Sequence, residues 1–169
     1  MKETAHPALQ VSPSGTIICL PKETQTIGIS PVLGELLSSR GWHYWEVTVT
    51  GSETYKIGIC YSGVPPDSTL GQNNSSWCLY CSSKTSLIYT VLHNSKMSDV
   101  IVTEHPARIG ILLDYNTGRL LFFNAERGQC LFAIRQKFTA SAHPVFGLEQ
   151  PGILQLHTGM ELPEFVKNS

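Results

Sequence analysis

The sequence predicts an all-β fold, a bent two-sheet antiparallel sandwich with little or no helix. Three observations point there. Short apolar or alternating runs recur roughly every eight to twelve residues, separated by Gly, Pro, Asn and Ser turn signals. No apolar pattern of helical period survives a window of roughly ten residues. The stretch Ala107–Asn124, ARIGILLDYNTGRLLFFN, reads as a hairpin whose strands are apolar on both faces, as expected of strands deep in a layered structure rather than half wetted. Its turn, Tyr115-Asn116-Thr117-Gly118, combines an Asn tolerant of left-handed backbone with a Gly free to take positive φ.

In chain order, Leu9–Leu20 gives two extended pieces around Ser12-Pro13-Ser14-Gly15. Thr26–Ser30 reads as a weak strand, and Pro31–Gly41 as a connector with one helical turn at Glu35-Leu36-Leu37. Trp42–Thr50 alternates, with Trp45, Val47, Val49 and His43 toward the core and Trp42, Tyr44, Glu46, Thr48 and Thr50 on the other side. Thr54–Tyr61 follows the Gly51–Glu53 turn and places Tyr55, Ile57, Ile59 and Tyr61 on one face, with Gly58 admitting a close neighbour. Ser62–Ser75 is a long loop of the kind that often carries function. Ser76–Ser82, Leu87–Leu92 and Val100–Val102 are strands joined by turns at Ser83–Ser86 and His93–Ser98. Gln129–Ile134, Pro144–Gly147 and Ile153–His157 complete the set.

At 169 residues the chain reads as one domain, 1–169, with leading strands and connector over 1–40 and a core over 41–165. Its abrupt start on strand-like sequence suggests a fragment of a larger protein. A net charge of −1 with scattered Lys and Arg argues against nucleic acid. No run approaches the ~20 apolar residues of a membrane-spanning helix, and the N-terminus lacks the apolar core of a signal peptide. Cys19, Cys60, Cys78, Cys81 and Cys130 form an odd set inside strand-like runs, read as free, buried thiols in a reducing, cytoplasmic setting. Cys78 and Cys81 form a CxxC, but on a strand i and i+3 face opposite sides, and no second ligand pair accompanies them. The six histidines show no i, i+2 or i, i+4 pairs, so no metal or cofactor is expected. No GxSxG is present, Glu46 reads as a structural hydrogen-bond or ion-pair partner, and Asp114 as a turn acceptor. The expectation is therefore a non-enzyme.

Three segments say more. Gly41-Trp42-His43-Tyr44-Trp45-Glu46-Val47, Ser76-Trp77-Cys78-Leu79-Tyr80, and Arg108–Tyr115 followed by Phe122-Phe123-Asn124 resemble, in order and spacing, the SPRY (B30.2) family over nearly the whole chain. His6–Leu9 through Ser14-Gly15 looks like the strand pair that precedes the SPRY core, and His93-Asn94-Ser95 with Leu154–Pro163 is most similar to the midline-type and fibronectin type III–SPRY members. Trp42 departs from the Arg or Lys that many members carry. The resemblance implies a non-catalytic, monomeric protein-interaction module whose loops at one end bind a peptide or partner protein, and cytoskeletal or sarcomeric association. By resemblance Tyr55 and Tyr80 border the binding surface, where tyrosine offers amphipathic contact area; Ser82, Ser83, Lys84, Asn94, Glu149 and Gln150 complete its rim. The alternative is a lectin-like carbohydrate-binding sandwich, with Asp67, Asn73 and Asn74 as oxygen donors.

Overall fold

Alternation in the sequence becomes strands almost everywhere it occurs. The computed structural model describes residues 9–21, 31–63, 71, 74–82, 88–94, 96–100 and 105–169. In chain order the elements are β1 (Gln10–Val11), β2 (Ile17–Leu20), β3 (Val32–Leu33), β4 (Trp42–Thr48), β5 (Thr54–Tyr61), β6 (Ser76–Ser82) and β7 (Ile88–His93). β8 (Lys96–Val100), β9 (Arg108–Asp114), β10 (Arg119–Asn124), β11 (Gln129–Arg135), β12 (Ala142–Leu148), β13 (Gly152–His157) and a short α1 (Glu164–Lys167) follow. One sheet has the order β1-β2-β13-β4-β9-β10-β11 and the other β3-β12-β5-β6-β7-β8. The pairings are antiparallel throughout. The two-sheet sandwich holds.

The main core lies between the sheets. Trp45, Val47 and Val49 from the first sheet meet Tyr55, Ile57, Ile59, Trp77 and Leu79 from the second. Gly58 stands where a Cβ would lie 2.0 Å from the Trp77 carbonyl oxygen, the close approach its sequence position suggests. The β9–β10 hairpin explains its own two-sided apolarity. Ile109, Ile111, Leu113, Leu120 and Phe122 enter the main core, whereas Leu112, Leu121 and Phe123 point outward. There they join Tyr44 and Val166 in a second cluster, flanked by Met160, Leu162 and Phe165. The C-terminal tail and α1 therefore form a third layer. Phe165 packs on Phe123 with ring centroids 5.3 Å apart.

Polar groups on that outer face are paired. Tyr44 Oη donates to Glu46 Oε2 at 2.7 Å, and Arg108 Nη1 lies 2.9 Å from Glu46 Oε1. Asp114 closes the hairpin turn, accepting from the amides of Asn116 (3.0 Å) and Thr117 (3.3 Å) and from the Thr117 hydroxyl (2.7 Å). Arg119 sits across the register from it, 3.4 Å away. Partial burial works against the Asp114 charge, yet the Thr117 hydroxyl and amide, Arg119 and the Asn116 amide together hold its carboxyl below the ordinary value. Gly118 takes φ +67°, as its place in the turn requires.

Several expectations need correction. Asn116 is not left-handed; its Oδ1 accepts from the Gly41 amide at 3.3 Å, and the one described non-Gly residue with positive φ is Asn94, at +52°. β8 spans Lys96–Val100, so Lys96–Ser98, expected in a turn, are strand, while residues 101 and 102 of the expected Val100–Val102 strand lie outside the described residues. Lys96, Met97, Ser98 and Asp99 are all exposed along an edge, so no alternation marks them. Glu35-Leu36-Leu37 is not helical: the amides of Gly34 and Leu37 donate to the carbonyls of Pro144 and Ala142 and tie the segment to β12. Cys130 is exposed at the start of the edge strand β11, not buried. Thr26–Ser30 lies outside the described residues.

Two outcomes test this layering. Replacing Phe165 and Val166 together by Ala is expected to lower stability by about 2–4 kcal/mol in urea titration, with far-ultraviolet circular dichroism unchanged. An Asp114→Asn variant should lose about 1–3 kcal/mol at pH 7. Because the folded carboxyl titrates below its unfolded value, that difference is present above about pH 4 and vanishes as the pH falls through the folded pKa; thermal melts from pH 7 to pH 2 would show the two proteins converging.

Candidate partner-binding surface

Strand alternation sorts the candidate residues. On β5, Tyr55 is in phase with Ile57 and Ile59, and all three are 0% exposed. The Tyr55 ring lies between the sheets, cross-strand from Leu148 and Cys81. Burial first, with Cys81 and Tyr89 adding, raises its phenol well above the ordinary value. Tyr55 is a core residue and presents no contact area. Its neighbour Lys56 has the opposite phase and emerges on the outer face.

Tyr80 also faces outward, since Leu79 and Cys81 on either side of it fill the main core. It pairs across the sheet with Lys56, whose other neighbour is Gly147. Lys56 Nζ stands 5.4 Å from the Tyr80 ring centroid and 3.2 Å from Glu149 Oε1, while Tyr80 Oη donates to Glu149 Oε2 at 3.4 Å. The lysine side chain is 12% exposed and the glutamate 47%. Beside this triangle, Thr54 Oγ1 donates to Gln150 Oε1 at 3.5 Å and pairs in register with Ser82. β5, β6 and the bend after β12 thus hold an aromatic ring, an ion pair and amide and hydroxyl groups on one patch. Its members are Tyr80, Ser82, Glu149 and Gln150, joined by Lys56 and supported from below by the buried Thr54.

The sequence reasoning missed Lys56 and, beneath it in the patch, the buried Thr54. The signal was present: Tyr55, Ile57 and Ile59 on the core face put Thr54 and Lys56 on the other. Asn94 does not join them. It follows His93 in the β7–β8 turn, at the Ser76 end of β6, whereas Ser82 ends the strand roughly 20 Å away at ~3.3 Å per residue. Ser83, Lys84, Asp67 and Asn73 lie outside the described residues. Asn74 is exposed and accepts from the Ser75 hydroxyl at 3.2 Å.

The buried carboxylates are engaged within the fold. Glu46 is held by Tyr44 and Arg108, and Asp114 by its own turn, the structural roles their positions suggest. Among the described residues no three His, Cys, Asp or Glu side chains gather as a metal site would need. Cys78 faces outward and Cys81 inward, so the CxxC does not converge; burial pushes the Cys78 thiol up to about 12 and the Cys60 thiol up to about 11. Thiols so raised are unreactive near neutral pH.

With the geometry in place, the comparisons fix the family. The SPRY domain model matches residues 42–161, and the chain belongs to the SPRY family. It is 36% identical over 98% of its length to human fibronectin type III and SPRY domain-containing protein 2. It is 31% identical over 86% of its length to human probable E3 ubiquitin-protein ligase MID2. The chain spans 24% and 19% of those relatives. The crystal structure of the TRIM65 PSpry domain superposes with a TM-score of 0.78 at 20% identity, covering 92% of this chain and 86% of that one. Stonustoxin superposes at 0.72 with 25% identity, covering 88% of this chain and 26% of the toxin chain. SPRY domains serve as protein-interaction modules in related proteins. Among the described residues no helix is long and apolar enough to cross a membrane.

The two tyrosines should separate cleanly in a thermal melt. Tyr55→Ala is expected to remove about 3–5 kcal/mol, the cavity cost of a buried aromatic. Tyr80→Ala should lose less than ~1 kcal/mol, the range of a surface ion pair and its neighbours.

Proposed function

We propose that this domain is a non-catalytic protein-interaction module that binds a peptide or partner protein through the Tyr80 patch. The observation that carries this reading is the pairing of a tyrosine on a rigid inner strand with Lys56 and Glu149 beside it. The Lys56–Glu149 pair contributes at most ~1 kcal/mol to stability given the exposure of the glutamate. What it does is fix the orientation of the Tyr80 ring, and a pre-ordered aromatic anchor loses little entropy on binding. Ser82 and Gln150 offer hydrogen-bonding groups at the rim, with Thr54 buried beneath them. Tyr55 contributes only by supporting β5 from inside. Ser83 and Lys84 lie outside the described residues, and Asn94 stands at the far end of β6 from Ser82. The module acts in the cytoplasm as a monomer without cofactor.

A quantitative pull-down from cell lysate tests the proposal. The expected result is a set of proteins retained by the wild type and reduced at least tenfold by Tyr80→Ala/Glu149→Ala, with both proteins melting at the same temperature. Equal retention by the two would place binding elsewhere.

A further inference from the structure

At the other end of the sandwich a second site is built. A cleft of about 540 Å³ opens where the Ser14–Thr16 turn, the Gly34–Leu37 connector, the start of β4 and the Thr158–Met160 segment meet. It lies far from the Tyr80 patch: Trp42 begins β4 opposite Asp114, whereas the chain reaches Thr54 and Ser82 only after β4 has run its length. The walls are held by hydrogen bonds. Gly34 and Leu37 amides donate to Pro144 and Ala142, His43 Nε2 and the Ser38 carbonyl are 2.9 Å apart, and Leu156 donates to the Thr16 carbonyl. The cleft is therefore preformed, a property shared by small-ligand and side-chain pockets.

Its lining has a definite chemistry. Trp42, 50% exposed, stands on the outer side of β4 with the buried Tyr44, whereas His43 lies on the inner side, where Leu37 and Leu156 line the cleft against the main core. Glu35 is the one Asp, Glu, Lys or Arg of the lining and forms no ion pair among the described residues. The Ser14 and Thr16 hydroxyls, 2.8 Å apart, add acceptors at the rim. An uncompensated carboxylate, open indole and hydroxyl oxygens are complementary to a planar cation with several N–H donors. From this we infer that the cleft receives an arginine side chain of a partner peptide, its guanidinium stacked on Trp42 and paired with Glu35, with an apolar neighbour against Leu37 and Leu156. This contact is separate from the Tyr80 patch and does not rest on it.

The test is fluorescence anisotropy of the 169-residue chain with a fluorescein-labelled pentapeptide, Gly-Leu-Arg-Leu-Gly, and its citrulline and lysine counterparts. Because Trp45 and Trp77 are buried, a change in tryptophan emission reports on Trp42. The arginine peptide is expected to bind about tenfold tighter than the citrulline peptide, the equivalent of one cation–π or ion-pair contact. Glu35→Gln should erase that preference, Trp42→Ala should weaken binding about tenfold with little change in melting temperature, and Tyr80→Ala should leave it unchanged. Equal binding of arginine and citrulline peptides, or binding of neither, overturns the inference. A lysine peptide matching arginine overturns the guanidinium assignment, and loss of binding in Tyr80→Ala moves the peptide to the other site.

Discussion

The β9–β10 hairpin is covered on both faces, and the rest of the architecture follows from that. Ile109, Ile111, Leu113, Leu120 and Phe122 tie it to the opposite sheet, while Leu112, Leu121 and Phe123 require a cover of their own. Each such side chain is worth roughly 1.5–3 kcal/mol when buried, so exposing three of them would consume much of a marginal stability of ~5–15 kcal/mol. The tail from Met160 to Val166 supplies the cover. As a result the outer face of the first sheet is closed above the hairpin, and the outer face of the second is where Tyr80 emerges.

Charge placement divides the molecule the same way. Glu46 and Asp114 are buried, and each is satisfied by neighbours close in space: Tyr44 and Arg108 for one, Thr117, Asn116 and Arg119 for the other. These groups serve the fold. Lys56 with Glu149, and Glu35 alone, are different, because their removal should scarcely change stability. Side chains that stability does not require, set on strands or hydrogen-bonded connectors that cannot move, are the ones available to a partner.

Much of this was legible in the sequence. Ser76–Ser82 and Thr54–Tyr61 coincide with the strands observed, because their interior residues alternate strongly and turn residues bound them. Asp114 as a turn acceptor and Glu46 as a structural partner followed from position alone. What was not legible depended on tertiary context. β8 is a polar edge strand with no buried face along Lys96–Asp99, β3 is two residues long, and α1 is a single turn that packs only because the hairpin needs it. The candidate site was half visible. Tyr80, Ser82, Glu149 and Gln150 converge, but resemblance placed Tyr55 at the surface although its own periodicity with Ile57 and Ile59 placed it inside. Applying that periodicity would have exchanged Tyr55 for Lys56. Asn94 failed for another reason: which end of the sandwich a turn occupies depends on strand order, which no local pattern encodes.

The most direct measurement is site-specific photo-crosslinking on the folded chain. A benzophenone-bearing phenylalanine analogue would be placed at position 80, and for comparison at position 133 on the exposed edge strand β11. After irradiation in cell lysate, the account predicts discrete protein adducts at position 80, competed by unlabelled wild-type domain and absent at position 133. Adducts of equal identity and yield at both positions, or none at position 80 while position 133 reacts, would contradict it and move the partner away from the Tyr80 patch.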